Sequence, residues 1–400
     1  MKFSDLHLSQ YIKDSLNALS YVVATTIQEL VISQFSERSD LIALAQTGSG
    51  KTGSFVIPIL NNLEKEEPKG IEVLILCPTR EIAQQTSVYI KKIDNENRYP
   101  VATLVGGVDV EIQLEDLKKD IRIVVATPGR LIDHLDRKSI HLDNIKDYIL
   151  DEADQMLTLG FLPSLERLQK VLPKEKLTLL FSATMSEEVK ALCKTMIPGA
   201  KKIELQQKDL ISKNLKQELY YIEQDNKQLL LIEMLRKLST DETAIVFAKM
   251  KTEADRLSDF LNQAGFEADR LHSDRSQYAR EEIISRLQNK SLRLLVATDI
   301  AARGIDIDHI THIFNYDLPQ NTDSFVHRIG RTARNGRPGK AITLCDPSEI
   351  KKLGEVQRLI KLQLPVINNH TFDNMYLKKA LAKVTADNKK SKKGRNFRRR

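Results

Sequence analysis

The chain has 400 residues, 41% hydrophobic and 29% charged, which is enough apolar material for two domains; with no long apolar span, it offers no candidate for a membrane-crossing helix. Its net charge of +7 gathers at one end: residues 389–400 hold eight of the 61 basic residues and no acid, leaving 53 basic residues against 54 acidic ones elsewhere. Three widely spaced cysteines, Cys77, Cys193 and Cys345, in or near apolar segments, exclude a disulfide framework and a zinc site; together with a Met1 to Gln10 stretch lacking an apolar signal core, they fit a cytoplasmic protein.

In chain order, short apolar runs alternate with amphipathic stretches of helix length, the pattern of a parallel α/β fold. The first series of expected strands is Leu41 to Leu44, Val73 to Cys77, Val101 to Val105, Ile121 to Ala126, Tyr148 to Leu150 and Thr178 to Phe181. A polar, charged stretch from about Lys201 to Lys216 follows Pro198-Gly199 and reads as a linker. The alternation then restarts with Leu219 to Ile222, Ala244 to Phe247, Leu294 to Ala297, His312 to Asn315 and Ala341 to Leu344. The expected division is a first domain over 1–203, a linker over 204–216, a second domain over 217–364 and an extension over 365–400. The extension ends in the basic arm, too polar to pack, which either grips nucleic-acid phosphates without reading sequence or only keeps the end solvated.

Chemistry is expected at the carboxyl ends of the strands. After Leu41 to Leu44 comes Ala45-Gln46-Thr47-Gly48-Ser49-Gly50-Lys51-Thr52, which ends in the Gly-Lys-Thr of a phosphate-binding loop, with alanine where the first glycine usually stands. Gly48 and Gly50 let backbone N–H groups approach triphosphate oxygens, Lys51 adds a point charge, and Thr52 opens a helix over Gly53 to about Leu63 and can hold Mg²⁺. After Tyr148 to Leu150 comes Asp151-Glu152-Ala153-Asp154. Asp151 is the natural second anchor for the metal, and Glu152 can deprotonate a water in line with the γ-phosphate. The two segments together predict ATP hydrolysis.

The second half holds no phosphate loop, so a single nucleotide site completed by the second domain is expected. His327-Arg328-Ile329-Gly330-Arg331-Thr332-Ala333-Arg334 supplies positive charge. At helical spacing, Arg331 and Arg334 would share one face and serve as arginine fingers; the plain alternative is a basic helix end at the surface.

These segments, with Pro78-Thr79-Arg80-Glu81, Gly106-Gly107, Thr127-Pro128-Gly129-Arg130, Ser182-Ala183-Thr184, Gln277 with Arg280, and Thr298-Asp299 through Arg303-Gly304-Ile305-Asp306, resemble in order the motifs of DEAD-box ATP-dependent RNA helicases of superfamily 2, compact bacterial members in particular. The resemblance covers about Phe3 to Lys361. It implies two RecA-like domains, each a parallel sheet flanked by helices, joined by a short linker and followed by a disordered basic tail. It implies that Gln28 reads the adenine edge while Phe3 stacks on the base, that Asp306 contacts the ribose, and that Ser182 and Thr184 couple the nucleotide site to RNA through hydrogen bonds with the Asp151 to Asp154 segment, with His327 and Arg328 also in a coupling role.

The RNA contacts so implied are Pro78, Thr79, Arg80, Gly106, Gly107, Thr127, Gly129 and Arg130 in the first domain, and Gln277, Arg280, Thr298, Asp299, Arg303 and Gly304 in the second. Backbone amides, small hydroxyls and isolated arginines suit phosphate, sugar and 2′-hydroxyl contact rather than base reading. Taken singly, a pair such as Gly106-Gly107 is also an ordinary turn. The expected activity couples ATP binding and hydrolysis to domain closure on single-stranded RNA and local unwinding or remodelling of RNA–protein complexes, with ribosomal or RNA-decay proteins as partners. The alternatives are an ATP-dependent RNA clamp or scaffold, and a DNA-directed ATPase of the same superfamily.

Overall fold

The computed structural model describes residues 1–45, 48–64, 70–205, 214–302, 307, 309–334 and 336–373, with Gln277 and Ile300 described by their backbone alone. The chain divides into two compact units, Met1–Gln207 and Lys208–Arg400.

The first unit is built on strands β1 (Leu41–Leu44), β2 (Val73–Leu76), β3 (Val101–Leu104), β4 (Ile123–Ala126), β5 (Asp147–Leu150), β6 (Leu177–Ser182) and β7 (Lys201–Glu204), in the order β3-β4-β2-β5-β6-β1-β7, every pair parallel. The central strands read as unbroken apolar runs because both faces are covered. Leu41, Ala43, Val73 and Ile75 turn to one core, where the helices Thr26–Phe35 and Lys51–Leu63 pack; Ile42, Leu44, Leu74 and Leu76 turn to the other. The second unit repeats the plan with β8 (Leu215–Tyr221), β9 (Ala244–Phe247), β10 (Ala268–Leu271), β11 (Leu294–Ala297), β12 (His312–Asn315) and β13 (Gly339–Cys345), ordered β10-β11-β9-β12-β13-β8 and again parallel throughout.

Three strands depart from expectation. The stretch read as linker contributes β7 at its start and the first residues of β8 at its end, and β10, Ala-Asp-Arg-Leu, was not expected as a strand. All three lie at sheet edges. An edge needs only one buried face, and charge there discourages pairing with another chain: Lys201, Lys202 and Glu204 are exposed while Ile203 meets the core, and Asp269 and Arg270 are held by Arg286 and Asp255. Of the extension expected over 365–400, the described part returns to the second unit: Leu219 N–H donates to Pro365 O (2.8 Å) and Ile367 N–H to Leu219 O (2.8 Å). The basic arm lies outside the described residues, as does most of the linker.

The second unit also buries a charged network at the carboxyl ends of its strands. Lys227, the first residue of the helix Lys227–Leu235, is wholly buried, with Nζ 2.8 Å from Asp346, 2.7 Å from Glu349 and 3.4 Å from Asp317. Glu253 stands beside Asp317. Burial first, then the charge of Asp317 and a hydrogen bond to it, push the Glu253 carboxyl up to about 7, against the opposing pull of Lys227, while Glu349 pushes the same way as Asp317. A raised carboxyl favours the folded state below its ordinary range, and this contribution fades as pH rises through about 7. Glu253→Gln, always neutral, is therefore expected to melt above the wild type at pH 8, with the difference vanishing by pH 5. Thermal denaturation across pH checks this, and an offset independent of pH contradicts it.

Candidate functional site

The expected chemistry of the first unit gathers at one edge of its sheet, beyond the carboxyl ends of β1 to β6. The phosphate loop leaves β1 with Ala45 N–H donating to Ser182 O (3.0 Å). Gly48 (φ 82°) and Gly50 (φ 94°) take left-handed backbone, which glycine adopts without the steric cost of a Cβ. Gly50 caps a helix that begins at Lys51, two residues before the expected Gly53, so Lys51 lies in its first turn. Gln46 and Thr47 lie outside the described residues, while Ser49 sits between the two glycines and Thr52 is the second residue of the helix.

Lys51 is 6% exposed, and its Nζ has no hydrogen-bond partner among the described residues; neither do the buried Asp151 Oδ1 and Glu152 Oε2. Burial pushes the Asp151 carboxyl up to about 7, with the neighbouring Glu152 adding to the rise and the Lys51 charge opposing it. Buried polar atoms left without partners cost stability, and a cation together with phosphate oxygens is the chemistry that these three atoms fit. Glu152 itself is held at φ 52°, ψ 52°, a left-handed conformation uncommon outside glycine and a form of strain typical of functional sites.

Asp154 turns away from that edge and binds the segment after β6. Its Oδ2 accepts from Ala183 N–H (3.2 Å), Thr184 N–H (3.0 Å) and Thr184 Oγ1 (3.0 Å). Thr184 thus makes the expected bond to the acidic segment. Ser182 does not: its Oγ donates to Thr184 O (2.7 Å), closing the turn on itself.

The two residues expected to read adenine are both engaged within the fold. Phe3 is 4% exposed and belongs to the core rather than offering a stacking face. Gln28 completes a capping box, its Oε1 accepting from Thr25 N–H (2.9 Å), and its Nε2 donates to Gly50 O (3.2 Å). Its donor and its acceptor are therefore both engaged in the fold, each with one further hydrogen-bonding position. Gly53 makes this possible, since a Cβ there would stand 2.6 Å from Gln28 Nε2 and 2.7 Å from the Tyr89 hydroxyl. Asp306 lies outside the described residues.

Pro78 and Thr79 lead from β2 into the helix Arg80–Ile93, with the Thr79 hydroxyl capping Ile82 N–H (3.4 Å). The Arg80 guanidinium lies on Gly107 so closely that a Cβ there would come within 1.7 Å of Nη1. Thr127 follows β4 at the N-cap position of the helix Pro128–Asp136 without a side-chain capping bond, Gly129 is exposed, and Arg130 Nη2 donates to Val108 O (3.1 Å). The turn Gly106 to Val108 is thus gripped by both arginines. Gln113, which no sequence motif marks, holds the same turn: its Oε1 accepts from Val105 N–H (3.1 Å) and its Nε2 faces the carbonyls of Val105, Val108 and Asp109 at 3.2–3.3 Å. A lone glutamine in a short helix gives no motif to recognise.

In the second unit, Arg280 Nη2 donates to Ala301 O (3.3 Å), and Thr298 N–H to Leu271 O (3.1 Å). The Gln277 side chain, Arg303 and Gly304 lie outside the described residues. Asp299, expected to meet RNA, instead turns inward as a two-pronged partner of Arg328, with Nε at 2.5 Å and Nη2 at 2.9 Å. Arg328 is buried, also reaches Asn315 Oδ1 (3.3 Å) and Asp317 O (2.5 Å), and lies 4.8 Å from the Phe247 ring centroid. Arg331 and Arg334 do not share a helix face. The helix Asp323–Ile329 stops at Gly330, and Ala333 at φ 56° turns the chain. Each arginine is buried at one end by a short-range bond, Arg331 Nε to His327 O (3.2 Å) and Arg334 Nε to Gly330 O (2.8 Å). His327 is buried beside them.

Residues 25–192 match the DEAD/DEAH box helicase family, and residues 226–336 the helicase conserved C-terminal domain. The ATP-dependent RNA helicase CshA of Limosilactobacillus reuteri is 39% identical over 364 residues, 91% of this chain and 73% of that protein. The DEAD-box ATP-dependent RNA helicase CshA of Bacillus subtilis is 37% identical over 372 residues, 93% of this chain and 75% of that one. Among solved structures, S. cerevisiae Dbp5 bound to RNA and ADP BeF3 aligns with a TM-score of 0.83 at 28% identity, covering 96% of this chain and 99% of that chain. With so much of its length and both of its units shared with these enzymes, the chain belongs to the DEAD-box ATP-dependent RNA helicases.

Proposed function

We propose that the chain hydrolyses ATP with Mg²⁺ at the phosphate loop and acidic turn, and uses the cycle to remodel RNA held by sugar and phosphate contacts. The observation that carries this reading is the trio of buried, unsatisfied atoms, Lys51 Nζ, Asp151 Oδ1 and Glu152 Oε2. Lys51 and the amides of the Gly48 to Thr52 turn bind the phosphates, with the N-terminus of the helix Lys51–Leu63 behind them. Thr52 and Asp151 are the residues that would hold Mg²⁺, which neutralises phosphate charge when bound. Glu152 takes the proton of the attacking water. Arg331 and Arg334 compensate the charge that develops on the transferred phosphoryl group. Asp154, through Thr184, ties the acidic turn to the chain after β6 and so relays the nucleotide state. Three buried free cysteines suit a reducing cytoplasm.

ATP turnover measured with single-stranded RNA, with DNA of matched sequence and with neither tests the reading. Strong stimulation by RNA alone is expected; equal stimulation by DNA, or none by either, contradicts it.

Arg80, Arg130 and the turn Gly106 to Val108 form the proposed RNA contact of the first unit. Gly107→Ala puts a methyl where the Arg80 guanidinium lies and keeps a left-handed φ of 75° that costs an alanine about 1–2 kcal/mol. Single-stranded RNA affinity, read by fluorescence anisotropy with a non-hydrolysable ATP analogue, is expected to fall roughly tenfold, the loss of a charge-assisted contact. The KM for ATP is expected to stay unchanged. An unaltered RNA affinity removes Arg80 from the contact.

A further inference from the structure

The exit of β12 is held between two buried cations. On one side, Arg328 donates to Asn315 Oδ1 and to the backbone carbonyl of Asp317. On the other, Lys227 Nζ stands 3.4 Å from Asp317 Oδ1 and 5.6 Å from the centroid of the Tyr316 ring. The next residue is fixed by the same network, because Glu349 binds Lys227 through Oε2 and accepts from Leu318 N–H through Oε1 (2.7 Å). Asp317 Oδ2 accepts from Lys249 N–H (3.0 Å), which ties in the exit of β9. Tyr316, Asp317 and Leu318 therefore have their places set from the Lys227 side, while Arg328 donates two of its hydrogen bonds to Asn315 and Asp317 in the same stretch.

Lys227 is poorly explained as packing. It occupies the first position of a helix, where the dipole disfavours a positive charge, and its burial strips it of water that a methionine of similar length would not miss. Three carboxylates from two later segments converge on it at 2.7 to 3.4 Å. We propose that Lys227 is a positioning residue for ATP hydrolysis: through Asp317 it fixes the exit of β12 on which Arg328 rests, and through Arg328 it sets the turn that carries Arg331 and Arg334. The proposal rests on the assignment of these arginines to phosphate charge compensation. Lys227 itself is 0% exposed and acts only through its neighbours.

The test uses the full chain and two variants, Lys227→Met and Asp317→Asn. The second preserves shape, one side-chain acceptor for Lys249 N–H and the carbonyl used by Arg328, and removes the charge that Lys227 and Glu253 both face. RNA-stimulated turnover is measured per folded molecule, well below each variant's melting temperature, beside Arg331→Ala as a reference. A displacement near 1 Å of a catalytic group lowers rates by up to about 100-fold, so both variants are expected to lose roughly 10- to 100-fold in kcat, with KM for ATP within about twofold of wild type. A lowered melting temperature with wild-type kcat in folded Asp317→Asn means that the network only stabilises the unit, and overturns the proposal. If Arg331→Ala is slow while Lys227→Met and Asp317→Asn turn over normally, the Lys227 role alone falls. If Arg331→Ala itself is unimpaired, the arginine assignment fails and the proposal falls with it.

Discussion

Glu152→Gln is expected to lower RNA-stimulated ATP turnover by about 10³-fold, within the range that positioned general bases contribute, while leaving ATP binding nearly intact. The side chain is buried at 5% exposure, its backbone is held in a left-handed turn, and Oε2 has no hydrogen-bond partner among the described residues. Glutamine keeps the shape and one acceptor and gives up the proton affinity. Because Lys51, Asp151 and the phosphate loop are untouched, KM for ATP should move little, and RNA should be retained longer in the presence of ATP because the step that ends the bound state is slowed. Steady-state turnover and RNA dissociation together check this; a variant that hydrolyses ATP at the wild-type rate removes Glu152 from the role of base.

Arg331→Ala is the second large effect. Charge compensation by an arginine on a transferring phosphoryl group is worth about 10³-fold or more in rate. The loss is expected in kcat, because the guanidinium matters most where charge develops, with a smaller change in KM. Arg331 is 4% exposed and braced by its own bond to His327 O, so its truncation also leaves a small void beside Phe247 and Arg328, whose side chains line the same recess. A melting curve separates this packing loss from the kinetic one. Arg331→Lys discriminates further: it restores charge but not the planar fork, and turnover well below wild type in that variant is expected. Near-wild-type turnover in Arg331→Ala contradicts the assignment.

The parallel plan was legible because central strands buried on both faces announce themselves as short apolar runs: Leu41–Leu44, Ala244–Phe247, Leu294–Ala297 and His312–Asn315 fall where the sequence placed them. The polar edge strands β7, Lys-Lys-Ile-Glu, and β10, Ala-Asp-Arg-Leu, carry no such signal, whereas the edge strand β3, Val-Ala-Thr-Leu, is apolar enough to show it. The phosphate loop and acidic turn were legible as well, since the chemistry of phosphate binding dictates residue types at short spacings. Partnerships across the fold were not. Spacing alone put Arg331 and Arg334 on a helix, but Gly330 ends that helix, and nothing local indicates that Asp299 serves Arg328 or that Gln28 spends both ends of its amide on Thr25 and Gly50. These are choices of side-chain direction fixed by tertiary packing, which a linear pattern does not record.

The three unsatisfied atoms at the phosphate loop have a further meaning for the life of the protein. A fold that keeps Lys51 Nζ, Asp151 Oδ1 and Glu152 Oε2 buried without partners is less stable alone than with something bound there, and any ligand that satisfies them acts as a folding ligand by mass action. Each tenfold excess of nucleotide over its dissociation constant adds about 1.4 kcal/mol to the unit that binds it. If the proposed site binds nucleotide, supply of that ligand is expected to bear on how long the first unit survives proteolysis as well as on turnover, and limited proteolysis with and without ATP reads the difference.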